Sequence, residues 1–317
     1  MNPQTLLVLG ASNSGKTVLS AQLYGRARYT PASLTLRAQA SDIQVLDHAF
    51  RSLQRGMLPS RTAETTFGTV TLPLISRAAD SEVVLVWPDY GGEQFNRILE
   101  SRQLPAEWEG RTREAQGTLL LIRPKLTFTP PDVLTRPGVR EADGSAYGAV
   151  VPSPDDHLPV DSMYVELLQL LTSAKGLDRL KRFKWPLTVA LTCWDEVAGQ
   201  DLTPGEQLQK RMPLLWQYLQ GAWSPSCLHI VGVSALARPL RNEQGLSLDA
   251  LPPDEQFCPA DATPEQREQA LRAASDREFR SKTPQDQGYL VTGDGQQIPD
   301  LTLLIEPLLT VPVQDNP

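Results

Sequence analysis

Cysteine is scarce. Cys193, Cys227 and Cys258 are the three in 317 residues, and they stand far apart. That excludes a disulfide framework and shows no metal-ligand spacing, so a reducing compartment is expected. A chain of this length needs neither device to stabilise a core. An excess of positive charge is missing as well: Lys and Arg number 30 against 37 Asp and Glu, a net charge of −7. A general nucleic-acid binder carries the opposite footprint, so no nucleic-acid partner is expected. No apolar run approaches the length of a membrane span. The start shows no basic stretch leading into an apolar run and a cleavage site, which argues against secretion. A cytoplasmic protein is the expectation.

Hydrophobic residues make up 40% of the chain and charged residues 21%, the balance of a globular fold. The 27 prolines exceed ordinary usage and point to irregular insertions. Thr5–Leu9, "EVVLVW", "GTLLLIR", "WPLTVALTCWD" and "CLHIVGVSAL" are apolar runs that read as strands, and Ser33–Arg37 is a short one. "FGTVTLPLIS" alternates and reads as a strand with one wet face. Its tight link to "EVVLVW" predicts an antiparallel hairpin. Helical spacing recurs over Lys16–Tyr24, Ser41–Arg55, "GGEQFNRILESR", Asp161–Ala174 and Gly205–Leu219, the last with Pro213 as a possible kink. "GYLVTGDGQQIPDLTLLIEPLL" reads as a short hairpin and a terminal helix. Strands alternating with helices predict an α/β fold with a mostly parallel sheet. Two polar, Pro-punctuated insertions, at about 124–160 and 238–288, interrupt one domain spanning 1–317, and a C-terminal helix is expected at about 298–310.

The first strand ends in Gly10-Ala11-Ser12-Asn13-Ser14-Gly15-Lys16-Thr17, a G-x-x-x-x-G-K-T loop before a helix. Glycines let backbone N–H groups turn into a concavity that cradles phosphate, and the helix adds its positive dipole end. Lys16 would reach the β- and γ-phosphates, and the Thr17 hydroxyl would hold Mg²⁺. Ser12, Asn13, Ser14 and Val18 complete the expected loop contacts.

Asp89-Tyr90-Gly91-Gly92-Glu93 follows a buried strand. Asp89 there can hold Mg²⁺ directly or through water, and the Gly92 N–H can meet a γ-phosphate. Taken alone, such a stretch is also an ordinary strand-to-helix turn. Thr192-Cys193-Trp194-Asp195 ends another strand, where Asp195 could accept from both N–H groups of a guanine edge. Ser234-Ala235-Leu236 ends the next, where a backbone N–H could meet the guanine oxygen. Each pattern is weak by itself; their order and strand-end positions carry the argument.

With these residues in place the chain resembles P-loop GTPases of the Ras and Arf kind. "GASNSGKT" is similar to their phosphate loop, "DYGGE" to the D-x-G-G-Q of Arf-like members, "TCWD" to N/T-K-x-D and "SAL" to S-A-K. More narrowly it resembles the bacterial double-GTPase and conflict-system GTPase families, whose first switch carries G-x-x-P-x-x-T, here Gly56 to Thr62. The resemblance covers roughly Thr5 to Leu236. It implies a three-layer G domain: a six-stranded, mostly parallel sheet with one antiparallel strand and helices on both faces. It implies GTP or GDP and Mg²⁺ as ligands, with Thr17, Asp89 and a switch threonine around the metal. Thr62 is that threonine by motif, with Thr65 and Thr66 as rivals nearer the strand.

Two departures bear on function. Cys193 replaces the lysine whose stem packs on the base, which leaves Trp194 as the candidate to stack there. Glu93 replaces the catalytic glutamine, with Gln94 one place along. Glu93 or Gln94 would orient water, aided by Lys16, and an arginine could come from Arg61 or a partner. The resemblance thus implies a slow GTP-hydrolysing switch with an unknown protein effector in a multi-protein bacterial system. The alternatives are a non-catalytic nucleotide-sensing scaffold and a P-loop ATPase or kinase; the antiparallel strand pair before Asp89 favours the GTPase layout.

Overall fold

The structure, a computed structural model, describes residues 3–11, 13–29, 32–37, 43–54, 69–77, 81–88, 98, 101–127, 160–197, 201–237 and 288–309. In chain order these form β1 (Gln4–Gly10), α1 (Lys16–Tyr29), β2 (Leu34–Leu36), α2 (Ile43–Gln54), β3 (Thr69–Ser76), β4 (Ser81–Pro88), α3 (Ala106–Glu114), β5 (Gly117–Ile122), α4 (Val160–Ala174), β6 (Leu187–Thr192), α5 (Pro204–Arg211), α6 (Pro213–Ala222), β7 (Leu228–Ser234), β8 (Tyr289–Val291) and β9 (Gln297–Ile298).

Among the described residues the strands lie in one sheet, ordered β2-β3-β4-β1-β5-β6-β7-β8-β9. β1 runs parallel to β4 and β5, and the parallel run continues through β6 to β7. β3 is antiparallel to both of its neighbours, as is β8. Against the expected six strands with one antiparallel member, the described residues form nine with two. The additions are β2 at one edge and the β8–β9 hairpin at the other, pieces of two or three residues. Both are read from the sequence, as the short strand at Ser33–Arg37 and the hairpin in "GYLVTGDGQQIP". The six strands implied by the resemblance leave them out, and they pair because a strand edge needs partners for its N–H and C=O groups.

Successive residues of β1 face opposite sides of the sheet. Leu6 and Val8 join Leu19 and Leu23 of α1, Leu46 and Leu53 of α2, and Leu304 and Leu308 near the C-terminal end. Leu7 and Leu9 join Trp108 of α3, Leu167 and Leu171 of α4, Leu208 of α5 and Leu215 of α6. Each fully buried leucine contributes about 1.5–3 kcal/mol relative to an exposed one, so a central strand of four buried aliphatics anchors both cores. Gly25 of α1 is required by close packing: a Cβ there would fall 2.0 Å from the Phe50 ring of α2.

Two local expectations change, and one helix was not expected. The helix expected over Gly205–Leu219 is two, because Met212 leaves the helical region and Pro213 begins a new helix. Buried Asp161 of α4 then accepts from the Leu214 and Leu215 N–H groups, at 2.9 and 2.7 Å, and caps the second helix. The C-terminal helix expected at 298–310 is instead β9 followed by 3₁₀ turns at Leu301–Leu304 and Glu306–Leu308. Pro299 and Pro307 lack the N–H donors that a continuous α-helix needs. α3 had no helical expectation, since only Trp108 and Thr112 are buried in it. Its surface carries the i,i+4 ion pairs Glu107–Arg111 and Glu109–Arg113 instead of an apolar stripe.

Of the two expected insertions, residues 128–159 and 238–287 lie outside the described residues. Cys193 and Cys227 carry free thiols. Among the described residues no helix is long and apolar enough to cross a membrane.

Candidate functional site

β1, β5, β6 and β7 run parallel, so their C-terminal ends share one edge of the sheet. In open α/β sheets ligands bind in the crevice at that edge. The loop after β1 is shaped there by backbone constraint. A side chain at Gly10 would lie 2.5 Å from Ser14 Oγ and 2.9 Å from the Leu121 carbonyl of β5. Asn13 and Gly15 both take positive φ, 59° and 81°, turning the chain back before α1 begins at Lys16. The Lys16 ammonium donates to the carbonyls of Gly10 and Ala11 at 2.6 and 2.7 Å, holding its charge over the loop. Thr17 is exposed in the first helical turn, while Val18 packs against the α1-side core. Ser14 is buried, and its hydroxyl has no hydrogen-bond partner among the described residues.

This donor set fits a triphosphate. A helix start leaves N–H groups without intrahelical acceptors, and here it stands beside a cation, a buried hydroxyl and a glycine turn. The exposed Thr17 oxygen is a hard ligand suited to Mg²⁺. Of the other expected contacts, Ser12, Thr62 with its rivals Thr65 and Thr66, Asp89, Gly92, Glu93 and Gln94 lie outside the described residues. β4 ends at Pro88, one residue before Asp89.

Two side chains that sequence reasoning did not assign to the loop brace it. Thr192, expected as a nucleotide contact, is buried at the end of β6. Its hydroxyl donates to the Ser14 carbonyl at 2.8 Å and to the Ile122 carbonyl at 3.2 Å. Tyr164 of α4, read only as part of an apolar helix face, is buried and hydrogen-bonded with the Ala11 backbone. The signal for both was a polar atom on an otherwise apolar surface.

Next to Thr192 the chain turns through Cys193 in the left-handed region, φ 51° and ψ 44°. Gly15 is its neighbour: a Cβ on it would stand in ordinary contact with Thr192 and with Cys193 Sγ, at 3.8 and 4.0 Å. Burial pushes the Cys193 thiol up to about 11, so it stays protonated at neutral pH. Trp194 does not stack on a base. It is buried in the core with its ring against Gly232 of β7, where a Cβ would fall 2.6 Å from Cδ2. The expectation is corrected for a packing reason: the 3₁₀ turn Trp194–Glu196 turns the indole inward and leaves Asp195 half-buried.

An Asp195 carboxylate oxygen accepts from the Ser234 hydroxyl at 2.5 Å. Ser234 is buried at the end of β7, and its oxygen also accepts from the Ala237 N–H at 2.9 Å. Ala235 and Leu236 follow it, partly buried against the α1-side core. Thr192, Cys193, Asp195, Ser234, Ala235 and Leu236 are thus gathered at neighbouring strand ends. Beside them Arg123, after β5, forks onto Glu196 at 3.0 and 2.5 Å. That hydrogen bonding holds the Glu196 carboxyl below its ordinary range. The two residues are 73 positions apart, and nothing in the local sequence pairs them.

Among curated proteins none matches the chain. Among solved structures, that of the bacterial selenocysteine-specific elongation factor EF-Sec is similar at 14% identity, covering 74% of this chain and 26% of that one, with a TM-score of 0.36. The chain therefore spans about a quarter of that structure's length. A family model described as Double-GTPase 1 matches residues 7–308, from β1 through the loop at Gly10–Thr17 and the ends of β6 and β7 to the last 3₁₀ turn. A match over that much of the sequence places the chain in the Double-GTPase 1 family.

Proposed function

We propose that this chain is a Mg²⁺-dependent GTP-binding switch with slow intrinsic hydrolysis, working with a protein effector inside a multi-protein bacterial system. Membership of a GTPase family supports guanine-nucleotide binding. The observation that carries the reading further is a coincidence at one sheet edge. A lysine-closed loop at the start of α1 lies two strands from a carboxylate that a serine holds in place.

In the proposed reaction, water attacks the γ-phosphorus, the bond to the β–γ bridging oxygen breaks, and GDP and phosphate leave. Lys16 and the amides of Asn13 to Val18 neutralise charge on the phosphates. Thr17, Asp89 and the switch threonine would hold Mg²⁺, which offsets charge on the phosphate oxygens when bound. Asp195 accepts from the guanine edge, and the Ala235 N–H meets the guanine oxygen. Glu93 or Gln94 orients the water. A carboxylate at Glu93 adds negative charge beside the phosphates, which opposes the reaction and makes it slow. An arginine from Arg61 or from a partner would offset that charge.

The test is to denature the purified protein and chromatograph what it releases. GDP or GTP supports the reading, and ATP or ADP overturns it. The substitution of Glu93 for the family glutamine also favours a second reading, a nucleotide-sensing scaffold without turnover; a GTP hydrolysis assay separates the two.

A further inference from the structure

The proposed reading leaves the C-terminal hairpin without a role, yet the hairpin lies against the loop after β7 and is held by α1, the helix that the phosphate-type loop begins. β8 pairs with the end of β7, placing Tyr289 opposite Ser234. Just before it, Gly288 is pressed onto the base-side loop. A Cβ on Gly288 would fall 2.4 Å from the Ala235 carbonyl oxygen and 2.7 Å from that of Ser234. These are backbone atoms, so no side chain fits there without moving the loop.

The other contact comes from α1. Arg26 lies ten residues after Lys16 on that helix, roughly 15 Å along it at 1.5 Å per residue. It is 3% exposed. One guanidinium nitrogen donates to the Pro299 carbonyl at 2.5 Å and another to the Gly288 carbonyl at 3.2 Å. A single side chain therefore grips the hairpin before β8 and after β9. Asp300 adds a favourable charge, and its carboxylate accepts from the Ser33 and Thr302 N–H groups at 3.0 and 2.9 Å. Burying a guanidinium is costly, and an apolar residue of similar volume often serves stability as well. What the fork adds is a fixed geometry between two carbonyls and one helix.

Direct contacts thus run from α1 through Arg26 to Gly288, from Gly288 to Ser234 and Ala235, and from Ser234 to Asp195. We propose that Arg26 is a positioning residue of the nucleotide site, bolting the hairpin to α1 so that the base-side loop stands at a fixed spacing from the phosphate loop. The inference rests on the reading that Asp195 and Ala235 meet the base. Its consequence is that base selection depends on a residue that touches no nucleotide.

The experiment measures affinities for GTP, ATP and inorganic tripolyphosphate, together with thermal midpoints, for the parent chain, Arg26→Met, Arg26→Lys and Gly288→Ala. Arg26→Met should weaken GTP binding about tenfold, the scale of one lost charge-assisted hydrogen bond, and leave tripolyphosphate affinity unchanged. The GTP-over-ATP ratio then falls by the same factor, and Arg26→Lys restores part of it. Gly288→Ala disturbs the same contact from the loop side and should lower the ratio without removing the guanidinium. A folded Arg26→Met and a folded Gly288→Ala that both keep the parent ratio overturn the proposal, as does an equal loss for all three ligands. A parent that binds GTP no better than ATP overturns the guanine reading, and the role of Arg26 with it.

Discussion

Ser234 and Asp195, on neighbouring strand ends and 39 residues apart, are joined by a 2.5 Å hydrogen bond in which the hydroxyl donates to the carboxylate. The bond fixes which way the carboxylate faces. Ser234→Ala leaves Asp195 free to rotate and should weaken GTP binding about tenfold, the lower end of the value of a hydrogen bond to a charged group. Asp195→Asn should cost more, and should cost GTP more than ATP, because an amide presents a donor where guanine needs an acceptor. Competition binding with both nucleotides checks the pair. Unaltered GTP preference in Asp195→Asn would show that this residue does not read the base.

Thr192 ties the phosphate-type loop to β5 and β6 through the carbonyls of Ser14 and Ile122. Thr192→Val keeps the shape and removes the donor, leaving buried carbonyls unsatisfied. A loss of about 1–3 kcal/mol in unfolding free energy is expected, with weaker binding of GTP and tripolyphosphate alike. Urea denaturation and calorimetric binding measure the two effects.

Lys16→Ala removes the ammonium from the Gly10 and Ala11 carbonyls. Lys16 is half-buried at the mouth of the loop, so the fold should survive while triphosphate binding is lost. Circular dichroism and nucleotide titration decide it; a folded variant with parental affinity would remove the centre of the functional reading.

Glu93 lies outside the described residues, and the proposed reading gives it the water-orienting place that the resemblance assigns to a glutamine. Parent turnover should fall below the enzyme median of about 10 s⁻¹. Glu93→Gln should keep or raise the rate, because an amide orients water without adding charge, and Glu93→Ala should lower it. Single-turnover GTP hydrolysis by the three proteins is the measurement. A Glu93→Ala rate equal to the parent's would pass the role to Gln94 or to a partner.

The Arg123–Glu196 pair predicts an acid limb. Arg123 hydrogen bonds lower the folded-state pKa of Glu196. The stabilisation is therefore present above the unfolded carboxylate pKa and lost as pH falls through the lower folded one. Glu196→Gln should be less stable than the parent at neutral pH, with the difference closing as pH drops below the ordinary carboxylate range. Thermal midpoints from pH 7 to pH 3 test the sign. A constant difference across that range would show that the pair does not titrate.

The sequence alone determined what is local. Gly10, Gly15, Lys16 and Thr17 lie within eight residues, and the turn before α1 needs only glycine freedom and the onset of helical spacing. β5 and β6 were legible because strands buried on both faces are continuous apolar runs. The antiparallel β3–β4 hairpin was legible because its connection is short. These features also carried the resemblance that the Double-GTPase 1 match bears out.

Tertiary structure decided which residues meet. Trp194 is an aromatic beside an expected base contact in the sequence, but packing against Gly232 turns it into the core. Leu301, Leu304, Ile305 and Leu308 have helical spacing, yet two prolines and the pull of the α1-side core leave 3₁₀ turns. Arg26 reaches partners 262 and 273 residues away. Such a contact depends on strand order and on where an edge hairpin lands. Both are set by loop closure and side-chain packing over the whole chain, which no short window of residues contains.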